Sequence, residues 1–161
     1  MVVMRSAGYA SERGFAPVTL VMSVPSMIVV HPSAPARTVP EVVTWMKAQP
    51  GGVNHASSGV GSSEQPGMEL FRLRKGTEAG LPDLVSGSWT ALVAPAATPA
   101  PALDRLNAVM VATLRAPEVR ERLGRVGFTV DASSRAELAQ LIAGDLARWR
   151  DVVRQARIEP Q

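Results

Sequence analysis

The apolar positions of the chain follow two patterns, short β-branched runs and longer stripes of helical period. The β-branched runs are typical of buried strands. They lie at Pro17–Ser23, Ser26–His31, Val53–Ala56 and Gly87–Pro95, and in the segment GFTVDA that begins at Gly127. Within the fourth run we expect Trp89, Leu92 and Val93 to lie in the core. Strands that alternate with helical segments predict an α/β fold.

In the first half of the chain, a capping box predicts where a helix begins. Thr38 and Glu41 have the T-x-x-E spacing in which each side chain satisfies a backbone N–H of the first turn. The apolar residues that follow predict one buried face, made of Val42, Val43, Trp45 and Met46. The Pro-Gly-Gly sequence at 50–52 ends this helix, and a further helix is predicted over Ser62–Arg74.

The second half of the chain is mostly helical in pattern. Thr98 and Pro99 open a helix whose apolar residues recur every three or four positions, at Leu103, Leu106, Val109, Met110 and Leu114. Pro117 opens a short helix that reaches Val126. Ser134 and Glu137 form a second capping box, which opens a helix that extends to about Arg154. We expect its apolar face to pack on a sheet that contains Val18–Val21 and Leu92–Val93; that face carries Leu138, Leu141, Ile142, Trp149, Val152 and Val153.

Composition sets the size of the fold and excludes several functions. The chain has 161 residues, 46% hydrophobic and 19% charged, which suits about one domain with a real core. Its net charge is +3, and its arginines are interspersed with acidic residues on helices, so a nucleic-acid partner is not expected. Cysteine is absent, and the two histidines, His31 and His55, do not predict a metal site.

The sequence shows no targeting or spanning segment. No apolar run approaches the length of a membrane-spanning helix, and the first fifteen residues lack the apolar core of a secretory signal. If the first methionine is the true start, these features predict a cytoplasmic protein.

The sequence HASSGVGSSEQPGMELF, from His55 to Phe71, contains the main candidate for a binding site. Its small and hydroxyl-bearing residues lie between a predicted strand and a predicted helix; they are Ser57, Ser58, Gly59, Gly61, Ser62 and Ser63. The start of a helix offers free N–H groups and a partial positive charge, which suit a carboxylate or phosphate. No Gly-Lys-Ser/Thr follows, so the segment is not a nucleotide-binding P-loop. Residue chemistry alone leaves two interpretations open, an anion-binding loop and a capped turn.

Catalysis by this loop is the weakest interpretation. A hydrolase would need Ser57 or Ser58 as nucleophile, but the G-x-S-x-G elbow is absent. Neither histidine has an acidic residue suitably placed in sequence to orient it. We therefore predict no enzyme activity, no catalytic residue and no cofactor.

Two ordered blocks of sequence resemble the tripartite tricarboxylate transporter receptor family, the Bug-type solute-binding proteins. The first block has V-x-H-P-S-x-P-A-x-T-V from Val29 to Val39, P-G at 50–51, A-S-S-G-x-G from Ala56 to Gly61 and E-L-F at 69–71. The second has S-W, L-x-A-P, T-P-x-P, R-L-N, P-E-V-R-E-R-L and A-R-W, in that order, between Ser88 and Trp149.

The resemblance implies a two-lobed periplasmic receptor that closes on a small carboxylate and delivers it to a membrane permease. It implies an abbreviated periplasmic-binding-protein-like (type II) α/β fold with one lobe incomplete and a helix-rich C-terminal half. The Ser57–Ser63 loop matches the family's ligand loop in the second lobe, which makes Ser57, Ser58, Gly59, Gly61, Ser62 and Ser63 the expected ligand-binding residues.

The same resemblance divides the chain into four parts. Residues 1–16 are a poorly ordered leader, and 17–75 are the remnant of the ligand-loop lobe with its entering hinge strand. Residues 76–86 are a linker at an internal deletion, and 87–161 are the returning strand and C-terminal helices of the first lobe. Nothing in the chain matches the family's first α/β unit, and Val60, Pro66, Ala91 and Ala97 depart from its pattern. We therefore expect a truncated receptor with weak or no binding.

One other function is compatible with these departures. An incomplete sheet edge and exposed apolar faces are features of a structural or interaction protein that pairs with itself. Size-exclusion chromatography and titration with dicarboxylates would separate this alternative from a receptor.

Overall fold

The computed structural model describes residues 13–54, 56, 67–68, 71 and 87–157. In chain order the strands and helices of this part are β1 (Phe15–Pro25), α1 (Val39–Ala48), β2 (Gly87–Pro95), α2 (Ala100–Arg115), α3 (Pro117–Arg125), β3 (Thr129–Val130) and α4 (Arg135–Ala156). Residues 67, 68 and 71 are helical, within the helix predicted over Ser62–Arg74. The mixed α/β class predicted from the sequence is confirmed.

The three strands form an antiparallel sheet in the order β2-β1-β3. β1 pairs with β2 along its whole length, from Phe15 opposite Pro95 to Pro25 opposite Gly87. The register shifts at two points of β1, because Val18 and Val21 have no opposite residue in β2. Such bulges leave backbone groups of β1 free to bond elsewhere. The Val21 carbonyl accepts the N–H of Asp131, just beyond β3.

Helices α2 and α4 both contact β1, and the core lies between them and the sheet. Leu103 of α2 is buried together with Val18 and Ala94 of the sheet. Leu138, in the first turns of α4, is completely buried, and Val152 extends the buried face of the same helix. This is the predicted packing of the long C-terminal helix on the sheet, and Trp149 is half-buried as that packing requires.

Both predicted capping boxes are confirmed. The Thr38 hydroxyl accepts the N–H of Glu41, and the Ser134 hydroxyl accepts the N–H of Glu137, while each glutamate bonds back to the cap residue. Local side-chain chemistry therefore sets where α1 and α4 begin. α1 ends at Ala48, and Gly52 (φ 73°) turns the chain beyond it, since glycine enters this left-handed region without a Cβ clash.

Two predicted strands are wrong. Ser26–His31 forms no strand and is largely exposed, whereas the sequence predicts a buried strand there. A β-branched run becomes a strand only where a neighbouring strand supplies its hydrogen bonds, and no described strand lies beside this one. Residues 53, 54 and 56 likewise form no strand, and His55 lies outside the described residues.

Parts of the predicted core are also wrong. Trp89 and Val93 of β2 are exposed, and Ala94 is the buried residue of that strand. On α2, the apolar stripe predicts a buried face, yet two of its residues, Leu106 and Val109, are exposed, while Leu103 and Leu114 are buried. β2 and α2 therefore carry more apolar residues than are buried in the described core.

No helix in the described ranges is both long enough and apolar enough to cross a membrane.

Candidate functional site

The predicted ligand loop lies outside the described residues. This applies to every predicted ligand-binding residue: Ser57, Ser58, Gly59, Gly61, Ser62 and Ser63. The structure does describe both flanks of the loop. Ala56 is exposed, and Phe71 on the helical side is buried. The loop thus connects an exposed position to a helix that Phe71 anchors in the protein.

The segment HPSAPART, residues 31–38, is a tightly bonded turn that leads into α1. The Arg37 guanidinium donates to the carbonyls of Ala34 (2.9 Å), Ala36 (3.1 Å) and Pro32 (3.2 Å). Ala34 and Ala36 lie buried within this turn. The Arg37 side chain therefore stabilises the turn through hydrogen bonds to its carbonyls.

Glu41 ties this turn to α1 through its carboxylate. Oε2 accepts the backbone N–H of Arg37 at 2.6 Å and that of Thr38 at 3.1 Å. These bonds stabilise the charged form, so the backbone N–H of Arg37 and then that of Thr38 lower the pKa of the Glu41 carboxyl below its ordinary value. At the start of α4 the Ser134 hydroxyl, and then the Ser134 backbone N–H, donate to the Glu137 carboxylate and lower the pKa of Glu137.

We expect the Glu41 cap to stabilise the protein at neutral pH and to lose its effect in acid. Because the pKa is lower in the folded state, the contribution is complete above the ordinary glutamate pKa and disappears as pH falls through the lowered one. Urea unfolding of Glu41→Gln across the acid range should show a stability deficit that shrinks as pH falls. Glu137→Gln, at the matching position of α4, should behave alike; a pH-independent deficit in both variants would contradict this.

His31 is held by the same turn. Its Nδ1 lies 2.8 Å from the Ser33 hydroxyl and accepts the Ser33 N–H at 3.2 Å. The nitrogen is therefore used as an acceptor within the turn. In the part of the chain that is described, no group of three His, Cys, Asp or Glu residues could hold a metal ion.

A second polar cluster, made of Thr19, Asn107 and Ser133, joins β1 to α2 and to the start of α4. The Asn107 amide Nδ2 donates to the carbonyls of Val18 (2.7 Å) and Ser133 (2.9 Å). The buried Thr19 hydroxyl donates to the same Ser133 carbonyl at 2.7 Å, and the Ser133 hydroxyl accepts the Leu20 N–H at 2.9 Å. This cluster occupies the position of the Val18 bulge and fixes the helices against the sheet.

Sequence reasoning did not single out this cluster. Asn107 lies four residues after Leu103 and seven before Leu114, so it falls on the buried face of α2. A polar residue at an inward position between two apolar ones is the signal that indicates a buried hydrogen-bonding role. The cluster has a structural role, because its bonds join β1 to α2 and to Ser133, just before the start of α4.

The family comparison covers nearly the whole chain. The family model described as tripartite tricarboxylate transporter family receptor matches residues 3–82 and 75–158. The two matched ranges overlap at residues 75–82, a few residues before β2 begins. They contain both sequence blocks that carry the resemblance.

The matches to curated relatives cover only part of the length of those proteins. A UPF0065 protein from the tcbD-tcbE intergenic region of Pseudomonas sp. strain P51 is 22% identical over 213 residues, which is 93% of this chain and 63% of that protein. A UPF0065 protein from the TAR-I ttuE-ttuC' intergenic region of Agrobacterium vitis is 35% identical over 82 residues, 49% of this chain and 24% of that protein. The first alignment is longer than the chain, so that relative carries residues within the aligned region that have no counterpart here.

Solved structures share the fold. The structure of R. palustris Rpa4515 with adipate has a TM-score of 0.81 at 21% identity, and the match covers 99% of this chain and 74% of that one. A structure described as that of a periplasmic transporter has a TM-score of 0.74 at 20% identity, over 98% of this chain and 73% of that one. Because the family model matches well over half of its residues, the chain belongs to the tripartite tricarboxylate transporter receptor family.

Proposed function

We propose that this protein is the solute-binding receptor component of a tripartite tricarboxylate-type transporter and binds small carboxylates weakly. The observation that carries the proposal is the fold match over 99% of the chain to the structure of R. palustris Rpa4515 with adipate, in a chain that belongs to the receptor family. Adipate is a dicarboxylate, the ligand chemistry that the Ser57–Ser63 loop suits. A receptor of this class acts outside the cytoplasm with a membrane permease as partner and is not an enzyme.

The loop is the part of the chain that would hold the ligand. Its serine hydroxyls can donate to a carboxylate oxygen, and Gly59 and Gly61 allow the backbone N–H groups to approach it closely. On its helical side the loop continues into residues 67, 68 and 71, which are helical. We propose that the hydroxyls and N–H groups converge at the start of this helix, with Ser57 and Ser62 facing the anion.

The weak affinity follows from how little of the ligand the chain can enclose. The aligned relative carries residues inside the matched region that are absent here, which supports a shortened ligand-loop lobe with a deletion near residues 76–86. A few hydrogen bonds contribute roughly 1 kcal/mol net each. The loss of freedom on association costs about 4 kcal/mol or more. A carboxylate held on an open face also remains solvated, so its charge adds little.

Isothermal titration calorimetry with adipate, citrate and malate tests this proposal. We expect no dissociation constant tighter than about 1 mM for any of them. Ser57→Ala should weaken whatever binding is measured, and Ser26→Ala, which changes an exposed serine outside the loop, should not. A micromolar constant lost in Ser57→Ala would keep the site but contradict the weak affinity. A micromolar constant unchanged in Ser57→Ala would contradict the site itself.

A further inference from the structure

We draw no further inference here: the strongest candidate, the exposed apolar face of α2 at Leu106 and Val109, carries none, because nothing in the described part of the structure shows what covers it.

Discussion

Leu138→Ala is expected to lower the free energy of unfolding by about 3 kcal/mol. Leu138 is completely buried and lies in the first turns of α4, the helix that packs against β1. Its removal takes away apolar contacts and leaves a cavity that neighbouring residues fill only in part. Few side chains in the described part of the protein are fully buried, so the loss of one should shift the unfolding midpoint markedly.

Leu106→Ala is the matched control, because it makes the same chemical change at a leucine that is 42% exposed on α2. We expect it to cost less than about 1 kcal/mol. Equilibrium unfolding in urea, followed by circular dichroism, measures both variants. Equal losses in the two proteins would mean that α4 does not pack on the sheet as described.

Asn107→Asp is expected to destabilise the protein by about 3 kcal/mol at neutral pH. The Asn107 amide donates one hydrogen to the Val18 carbonyl and the other to the Ser133 carbonyl. A carboxylate in its place has no hydrogen to donate and presents negative charge to both oxygens. The bulge of β1 and the loop before α4 would thus lose their shared partner.

The pH dependence separates repulsion from simple loss of the amide. The two carbonyls should raise the pKa of the new carboxyl, and once protonated it can donate one hydrogen bond. The stability deficit of Asn107→Asp should therefore shrink as pH falls through that pKa, relative to the unchanged protein. Asn107→Ala, which only removes the donors, should show a smaller deficit of about 2 kcal/mol at all pH values. Identical pH profiles for the two variants would show that the carbonyls do not face this side chain.

The helix starts could be predicted from sequence because the chemistry that sets them is local. Thr38 with Glu41 and Ser134 with Glu137 each lie within one turn, so the spacing alone specifies the bonds that the structure contains. β1 and β2 were predicted for a similar reason. Each is an apolar run that finds the other as its antiparallel neighbour.

The strand predicted over Ser26–His31 fails because strand formation depends on a partner that sequence periodicity cannot supply. Residues 26–31 are as rich in β-branched side chains as β1. In the described sheet, however, β1 lies between β2 and β3, whereas residues 26–31 pair with neither. The same limit explains Trp89: its indole N–H donates to Asp145 of α4 at 2.7 Å, which holds it at the edge of the core rather than inside. Burial of a given face depends on which elements come to cover it.

The candidate binding loop could be identified from the sequence, whereas the polar cluster could not. Ser57–Ser63 is conspicuous in sequence, because several hydroxyl and glycine residues precede a helix. Asn107 is inconspicuous, because asparagine on a helix is most often a surface residue and only its inward position reveals its role. Distant partners such as Val18 and Ser133 become visible only once the chain is folded.

A nuclear magnetic resonance titration with adipate tests the central claim, that the Ser57–Ser63 loop of this receptor-family chain binds a carboxylate. Amide shifts detect binding even when affinity is weak. We predict that the amides of residues 57–63 shift and saturate together, that those of the Thr19, Asn107 and Ser133 cluster do not, and that Ser57→Ala reduces the response. Shifts centred elsewhere, or an unchanged spectrum at saturating adipate, would contradict the account.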